Sequence, residues 1–212
     1  MRYYVESDGR VLLVRRGREL DLPAPDEISV PVDRIARLPV EPETWFCVPR
    51  LEAHPAGWPS KDEVPTLTDT TPLARAAVHA TMPRVVVEAI CIENGEVLLV
   101  KGSRGLNEGR WSLPGGFLRF GETPEDGVLR EVLEEVGAEA DLVRPAGTRS
   151  WLGARSGLHW IMFFYRIRLR GRPNPNPDEI AEAGYVPIAE ARLRLHDPAM
   201  ADAVCREAAR SD

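Results

Sequence analysis

The 212-residue chain has only three cysteines, Cys47, Cys91 and Cys205, and they lie far apart. That spacing excludes a zinc ribbon and a disulfide framework, and the odd number suits a reducing compartment, so a cytoplasmic location is expected. Long apolar runs are missing too. No stretch reaches the roughly 20 residues of a membrane-spanning helix, and the start, Met1-Arg-Tyr-Tyr-Val-Glu-Ser-Asp-Gly, has no apolar signal core. Positive charge is in deficit, with 27 Lys and Arg against 33 Asp and Glu and a net charge of −6. A nucleic-acid partner would call for a basic surface, so neither nucleic acid nor membrane is expected as a partner. The four histidines share no spacing that marks a catalytic or metal centre.

What is present falls into two parts. With 43% hydrophobic residues the chain can form one large core or two small ones. Ser60 to Pro72 is polar and proline-bearing, as a linker would be. Thr71-Pro72 then caps a short helix to about Ala80, and the expected boundary separates residues 1–80 from 81–212. In the first part, Thr44 to Val48 reads as a strand. Its opening, Asp8-Gly-Arg-Val-Leu-Leu-Val-Arg15, echoes Asn94-Gly-Glu-Val-Leu-Leu-Val-Lys101 of the second. A repeated hairpin, apolar strand and turn suggests a smaller α+β domain that is a degenerate half-copy.

In the second part, Arg84 to Ile92 and Glu96 to Lys101 are strands joined at Asn94-Gly95, a hairpin signal. Leu158 to Leu169 alternates as a long strand, and the proline-rich stretch from Arg172 to Asp178 must be loop. The densest chemistry lies in GFLRFGETPEDGVLREVLEEVGA, from Gly116 to Ala138. Thr123, Pro124 and Asp126 write a helix start, and Gly137 its stop, so a helix is expected from Pro124 to Val136. Val128, Leu129, Val132, Leu133 and Val136 form its apolar face. Glu131, Glu134 and Glu135 cluster on the other side, where they repel one another unless a cation neutralises them. With no Cys or His in the segment, the oxygen donors suit Mg²⁺ or Mn²⁺. Arg130 can anchor a glutamate by paired hydrogen bonds and fix the loop to the helix. Before the helix, Trp111-Ser-Leu-Pro-Gly115-Gly116 lets backbone bend sharply and approach a ligand closely.

The spacing G-x5-E-x7-R-E-U-x-E-E-x-G-U, with U a bulky apolar residue, is filled by Gly116, Glu122, Arg130, Glu131, Val132, Glu134, Glu135, Gly137 and Ala138. This segment resembles the signature of the Nudix hydrolases, and the wider likeness runs from about Pro83 to Asp197. The resemblance implies an α/β/α sandwich around a mixed sheet and metal-dependent hydrolysis of a nucleoside diphosphate derivative. It implies Glu131, Glu134 and Glu135 as metal ligands, with Gly116 in the same set and Arg130 and Glu122 in support. A glutamate shortly before Tyr185, Glu179 in preference to Glu182, would bind metal or activate the water. Gly127 departs from the family, whose helices more often carry alanine there. The two-domain layout is similar to that of NADH pyrophosphatases, but their zinc ribbon and Ser-Gln-Pro-Trp-Pro-Phe-Pro element are missing.

Arg104, Arg110, Arg119, Arg149 and Arg155 flank the expected cleft and could clamp a pyrophosphate, and Phe117, Trp151 and Trp160 offer stacking faces. The expected substrate contacts are Gly115, Gly116, Phe117, Arg119 and Arg149, and the catalytic set is Arg130, Glu131, Glu134, Glu135 and Glu179. The alternative is a nucleotide-sensing module without catalysis. The N-terminal part could supply a homodimer surface.

Overall fold

The computed structural model of the chain describes residues 1–153 and 156–210, apart from the side chain of Leu106. It divides into two compact units, Met1–Arg84 with Trp151–Trp160, and Val85–Ser150 with Ile161–Asp212. No composition shift in the sequence marks the segment Trp151–Trp160 as clustering with the first unit. Among the described residues no helix is long and apolar enough to cross a membrane.

The first unit contains β1 (Arg2–Ser7), β2 (Arg10–Val11), β3 (Val14–Arg16), β4 (Glu19–Asp21), β5 (Val32–Leu38), β6 (Thr44–Pro49) and α1 (Pro72–Thr81). One sheet has the order β2-β1-β6-β5, with β1 and β6 parallel, and β3 and β4 form a separate ribbon. α1 presents Ala74, Ala77 and Val78 to a core of Tyr4, Val11, Leu22 and Leu38. These small side chains let the helix backbone lie close to that core. Its N-cap Thr71 also donates to Asp21 at 2.7 Å, tying the helix start to β4. Residues 60–72, read from composition as a linker, instead belong to this unit. Val64 is fully buried, Val11 N–H bonds Pro59 O, and Thr70 Oγ1 donates to Val64 O. Polar residues fill this stretch because its backbone forms turns that their side chains satisfy.

The second unit holds most or all of β7 (Arg84–Ile90), β8 (Ile92–Glu93), β9 (Glu96–Gly102), β10 (Trp111–Ser112), β11 (Gly115–Phe117), α2 (Pro124–Val136), β12 (Ala140–Leu152), β13 (His159–Leu169), β14 (Ile180–Pro187), α3 (Ile188–Arg194) and α4 (Pro198–Ala208). It is an α/β sandwich with two sheets, ordered β10-β9-β14, with β8 paired to β9, and β11-β7-β13-β12. Val87, Ala89, Leu98, Val100 and Ile167 meet Val128, Val132 and Val136 of α2 in one core. The core fixes α2 against the strands, and α2 carries the acids.

Candidate functional site

β11 holds the approach to the helix. Gly115 lies opposite Glu88 and Gly116 opposite Val87 in the antiparallel pairing of β11 with β7. Both glycines are in strand backbone, so they supply closeness, not the sharp bend expected of them. A Cβ on Gly115 would stand 2.1 Å from Val87 O and 2.9 Å from Glu88 Oε2. One on Gly116 would stand 2.7 Å from Glu131 Oε1. Acidic side chains from β7 and α2 therefore both press against bare backbone.

α2 begins and ends where its caps dictate. Thr123 Oγ1 accepts from Asp126 N–H at 3.2 Å, and Gly137 closes the helix in the left-handed conformation with φ 69°. Its apolar face is rotated from the expected one. Val128, Val132 and Val136 are fully buried, whereas Leu133 is 52% exposed. Counting about 100° per residue, Leu133 and Glu131 lie on opposite flanks of Val132. The helix packs against β11 on the glutamate flank, which leaves Leu133 outside. Gly127 also has a packing role: a Cβ there would stand 2.4 Å from Leu118 Cδ2. Alanine would gain about 1 kcal/mol of helix propensity but would displace Leu118.

Arg130 organises the acids. Its Nε and Nη2 grip the two oxygens of Glu122 at 2.7 and 2.8 Å, and Nη2 also donates to Phe117 O at 3.0 Å. Nη1 donates to Glu131 Oε1 at 2.7 Å and to Glu134 Oε2 at 2.9 Å. The expected anchor of loop to helix is thus Glu122, held bidentately. The Arg130 hydrogen bonds and the Arg119 N–H pull the Glu122 carboxyl down to about 2.

The three helix glutamates have unlike surroundings. The Glu131 side chain is 13% exposed and that of Glu134 38%. Glu134 turns to Arg119 Nη2, at 2.8 Å, and to Arg130. Glu135 Oε2 accepts from Gly115 N–H at 2.9 Å. Burial, reinforced by the charges of Glu131, Glu179 and Glu134, pushes the Glu135 carboxyl up to about 8 against that hydrogen bond. Burial also raises Glu131, opposed by Arg130. A fourth acid, Glu88, went unnoticed in the sequence. It is 5% exposed, and its carboxyl is raised well above the usual range by burial and by the charges of Glu135, Asp197 and Glu131. The signal for it was an acid inside a strand that otherwise reads as a continuous buried run.

The other expected residues fare differently. Glu179 precedes β14, pairs with Arg104, and its charge bears on Glu135. Glu182 instead pairs with Lys101 at 2.9 Å. Arg119 reaches the site through Glu134, and Phe117 through its carbonyl. Arg149, expected to touch substrate, donates to Thr148 O next to it. Trp151 and Trp160 cluster with the first unit. Arg155 lies outside the described residues. Among the described residues no three acidic, histidine or cysteine side chains are already gathered to hold an ion.

A NUDIX domain family model matches residues 82–206. The chain is 42% identical over 55 residues to an ADP-ribose pyrophosphatase of Methanocaldococcus jannaschii, covering 26% of this chain and 32% of that protein. It is 33% identical over 111 residues to the NAD-capped RNA hydrolase NudC of Vibrio parahaemolyticus, covering 51% and 41%. This chain thus spans well under half the length of both relatives. Among solved structures, a NUDIX hydrolase from Nitrosomonas europaea superposes with a TM-score of 0.54 at 26% identity, over 60% of this chain and 90% of that one.

Proposed function

The chain belongs to the NUDIX family, and from that premise we propose that it is a pyrophosphohydrolase that uses Mg²⁺ or Mn²⁺ to split the diphosphate of a nucleoside diphosphate derivative. The carrying observation is that half-buried Glu131 and Glu135 lie against the glycine strand β11, with Arg130 holding the loop and helix together. Two relatives support the substrate class by their names, since ADP-ribose and an NAD cap each contain a diphosphate joining a nucleoside to a second group.

The residues fit a hard divalent ion. Their donors are all oxygens, and Glu88 Oε2 beside them is buried with no hydrogen-bond partner among the described residues. Glu131 and Glu135 would hold the ion, with Glu134 and Gly116 in the same set. When bound, it supplies charge neutralisation at the phosphates and a more acidic water. Arg130 keeps the Glu131 carboxylate directed toward Gly116 and ties Glu122 and Phe117 to the helix. Arg119 and Arg104, each paired with an acid here, are forked donors suited to phosphate oxygens. Glu179, which precedes β14 and pairs with Arg104, would accept the proton of the attacking water. Attack at phosphorus then yields two phosphorylated products.

The test is mass spectrometry of products from ADP-ribose, NADH, dinucleoside polyphosphates, sugar nucleotides, nucleoside triphosphates and NAD-capped RNA, each with Mg²⁺ or Mn²⁺ and with chelator. Two phosphorylated products that disappear with chelator are expected. Thermal stabilisation by a nucleotide without any product would replace catalysis by sensing.

A further inference from the structure

β7 reads Arg84-Val-Val-Val-Glu88-Ala-Ile90, a strand with one acid in its buried middle. Val87 and Ala89 join the core with α2, so by strand alternation Glu88 faces away from their side. Three observations concern its carboxylate. Oε2 is buried and accepts no hydrogen bond from any of the described residues. It lies where a Cβ on Gly115 would be only 2.9 Å away, and the N–H of that same Gly115 donates to Glu135 Oε2 at 2.9 Å. The charges that act on Glu88 are those of Glu135, Asp197 and Glu131, all negative.

Native proteins satisfy nearly all buried polar atoms, and a buried carboxylate among carboxylates is held by a partner of opposite charge. Arg130 does not serve: it donates to Glu122, Glu131, Glu134 and Phe117 O. Asp197 spends its side chain on capping α4, accepting from Ala199 N–H at 2.7 Å. Glu88 and Glu135 meet at Gly115, one from the sheet and one from the helix.

We propose that Glu88 is a further ligand for the divalent cation, contributed by β7 opposite the glutamates of α2, so that the ion joins strand to helix across Gly115. This rests on the reading of α2 as the metal-bearing helix. It adds to the helix glutamates a donor outside their segment, and it assigns Gly115 the task of leaving room for two carboxylates.

The experiment is direct Mn²⁺ binding, without substrate, by electron paramagnetic resonance and titration calorimetry on wild type, Glu88→Gln, Glu88→Asp and Glu135→Gln. Metal-free and metal-bound melting temperatures are read in parallel. Glutamine keeps the shape of a neutral Glu88 and removes its charge. The expected pattern is a fall of at least about tenfold in Mn²⁺ affinity for both Glu88→Gln and Glu135→Gln. Glu88→Gln should also gain metal-free melting temperature while losing the metal-induced rise. Mn²⁺ affinity of Glu88→Gln equal to wild type, with Glu135→Gln impaired, would overturn the proposal and leave the helix site intact. No Mn²⁺ binding by wild type would overturn both. Should Glu88→Gln not fold, Glu88→Asp decides, because a shortened ligand weakens Mn²⁺ binding and a mere proton carrier does not.

Discussion

Asp8-Gly9 and Asn94-Gly95 turn their hairpins with nearly the same backbone, φ of 50° and 68° in the first and 50° and 82° in the second. The residues that follow are also alike, Val11-Leu-Leu-Val14 and Val97-Leu-Leu-Val100. Yet the first strand stops after Arg10–Val11, while the second runs from Glu96 to Gly102. Partners make the difference. β9 is flanked by β10 and along its length by β14, and Val97 to Val100 are buried. In the first unit the chain leaves its partner, and Val14–Arg16 pair with β4 in a separate ribbon. Apolar β-branched sequence permits a strand, and neighbours set its length. The helices differ in kind: α1 is short and alanine-rich without acids, whereas α2 carries the glutamates. The echo between the halves is one of turn chemistry and does not extend to the site.

The largest expected effect tests whether the chemistry belongs to α2 alone. Glu135→Gln should lower turnover at saturating Mg²⁺ by about 10²–10⁴-fold, whereas His79→Ala, at an exposed position of α1, should leave it unchanged. Full turnover in Glu135→Gln, with circular dichroism showing a folded protein, would remove α2 from the mechanism. The hairpins themselves can be compared by Leu98→Ala in β9 and Leu12→Ala in the first unit. The former, fully buried, should lose about 2–5 kcal/mol, and the half-buried latter should lose less than half of that on denaturant unfolding. Equal losses would show that partner strands do not separate the two.

Arg130→Lys keeps the charge but cannot grip Glu122 in two places. Turnover should fall about 10- to 100-fold, and steady-state kinetics at several Mg²⁺ concentrations would register it. The smallest effect is on pH. Glu135 titrates near 8 in the folded chain against 4.5 ordinarily, so the folded state holds its proton longer. The Glu135 contribution to metal-free stability is then fully present below pH 4.5 and is lost as pH rises toward about 8. The melting temperature should follow that slope, and Glu135→Gln should flatten it. A slope unchanged by the substitution would place the titrating group elsewhere.

Much of α2 was legible because its signals are local. Thr123, Pro124 and Gly137 each act within a turn of their own position, and the structure places the helix ends at Pro124 and Val136. Leu133 was misplaced because periodicity gives the angle between residues but not which arc faces the protein. The glutamates looked equivalent for the same reason: one faces two arginines and another is half-buried and accepts from Gly115 N–H. Glu88 was silent because its importance comes from residues 27 to 109 positions further along, Gly115, Glu131, Glu135 and Asp197.

By itself the sequence determined the caps, the hairpin turns and the acids of α2, since each depends on residues adjacent in the chain. The tertiary structure alone decided the length of β2 against β9, the enclosure of residues 60–72, and the meeting of Glu88 with Glu135. Those outcomes depend on which surfaces are removed from water together, and burial is a property of distant segments brought into contact. A carboxylate is ordinary at the surface. It becomes a demand for a cation only when the fold takes away its solvent and surrounds it with its own kind.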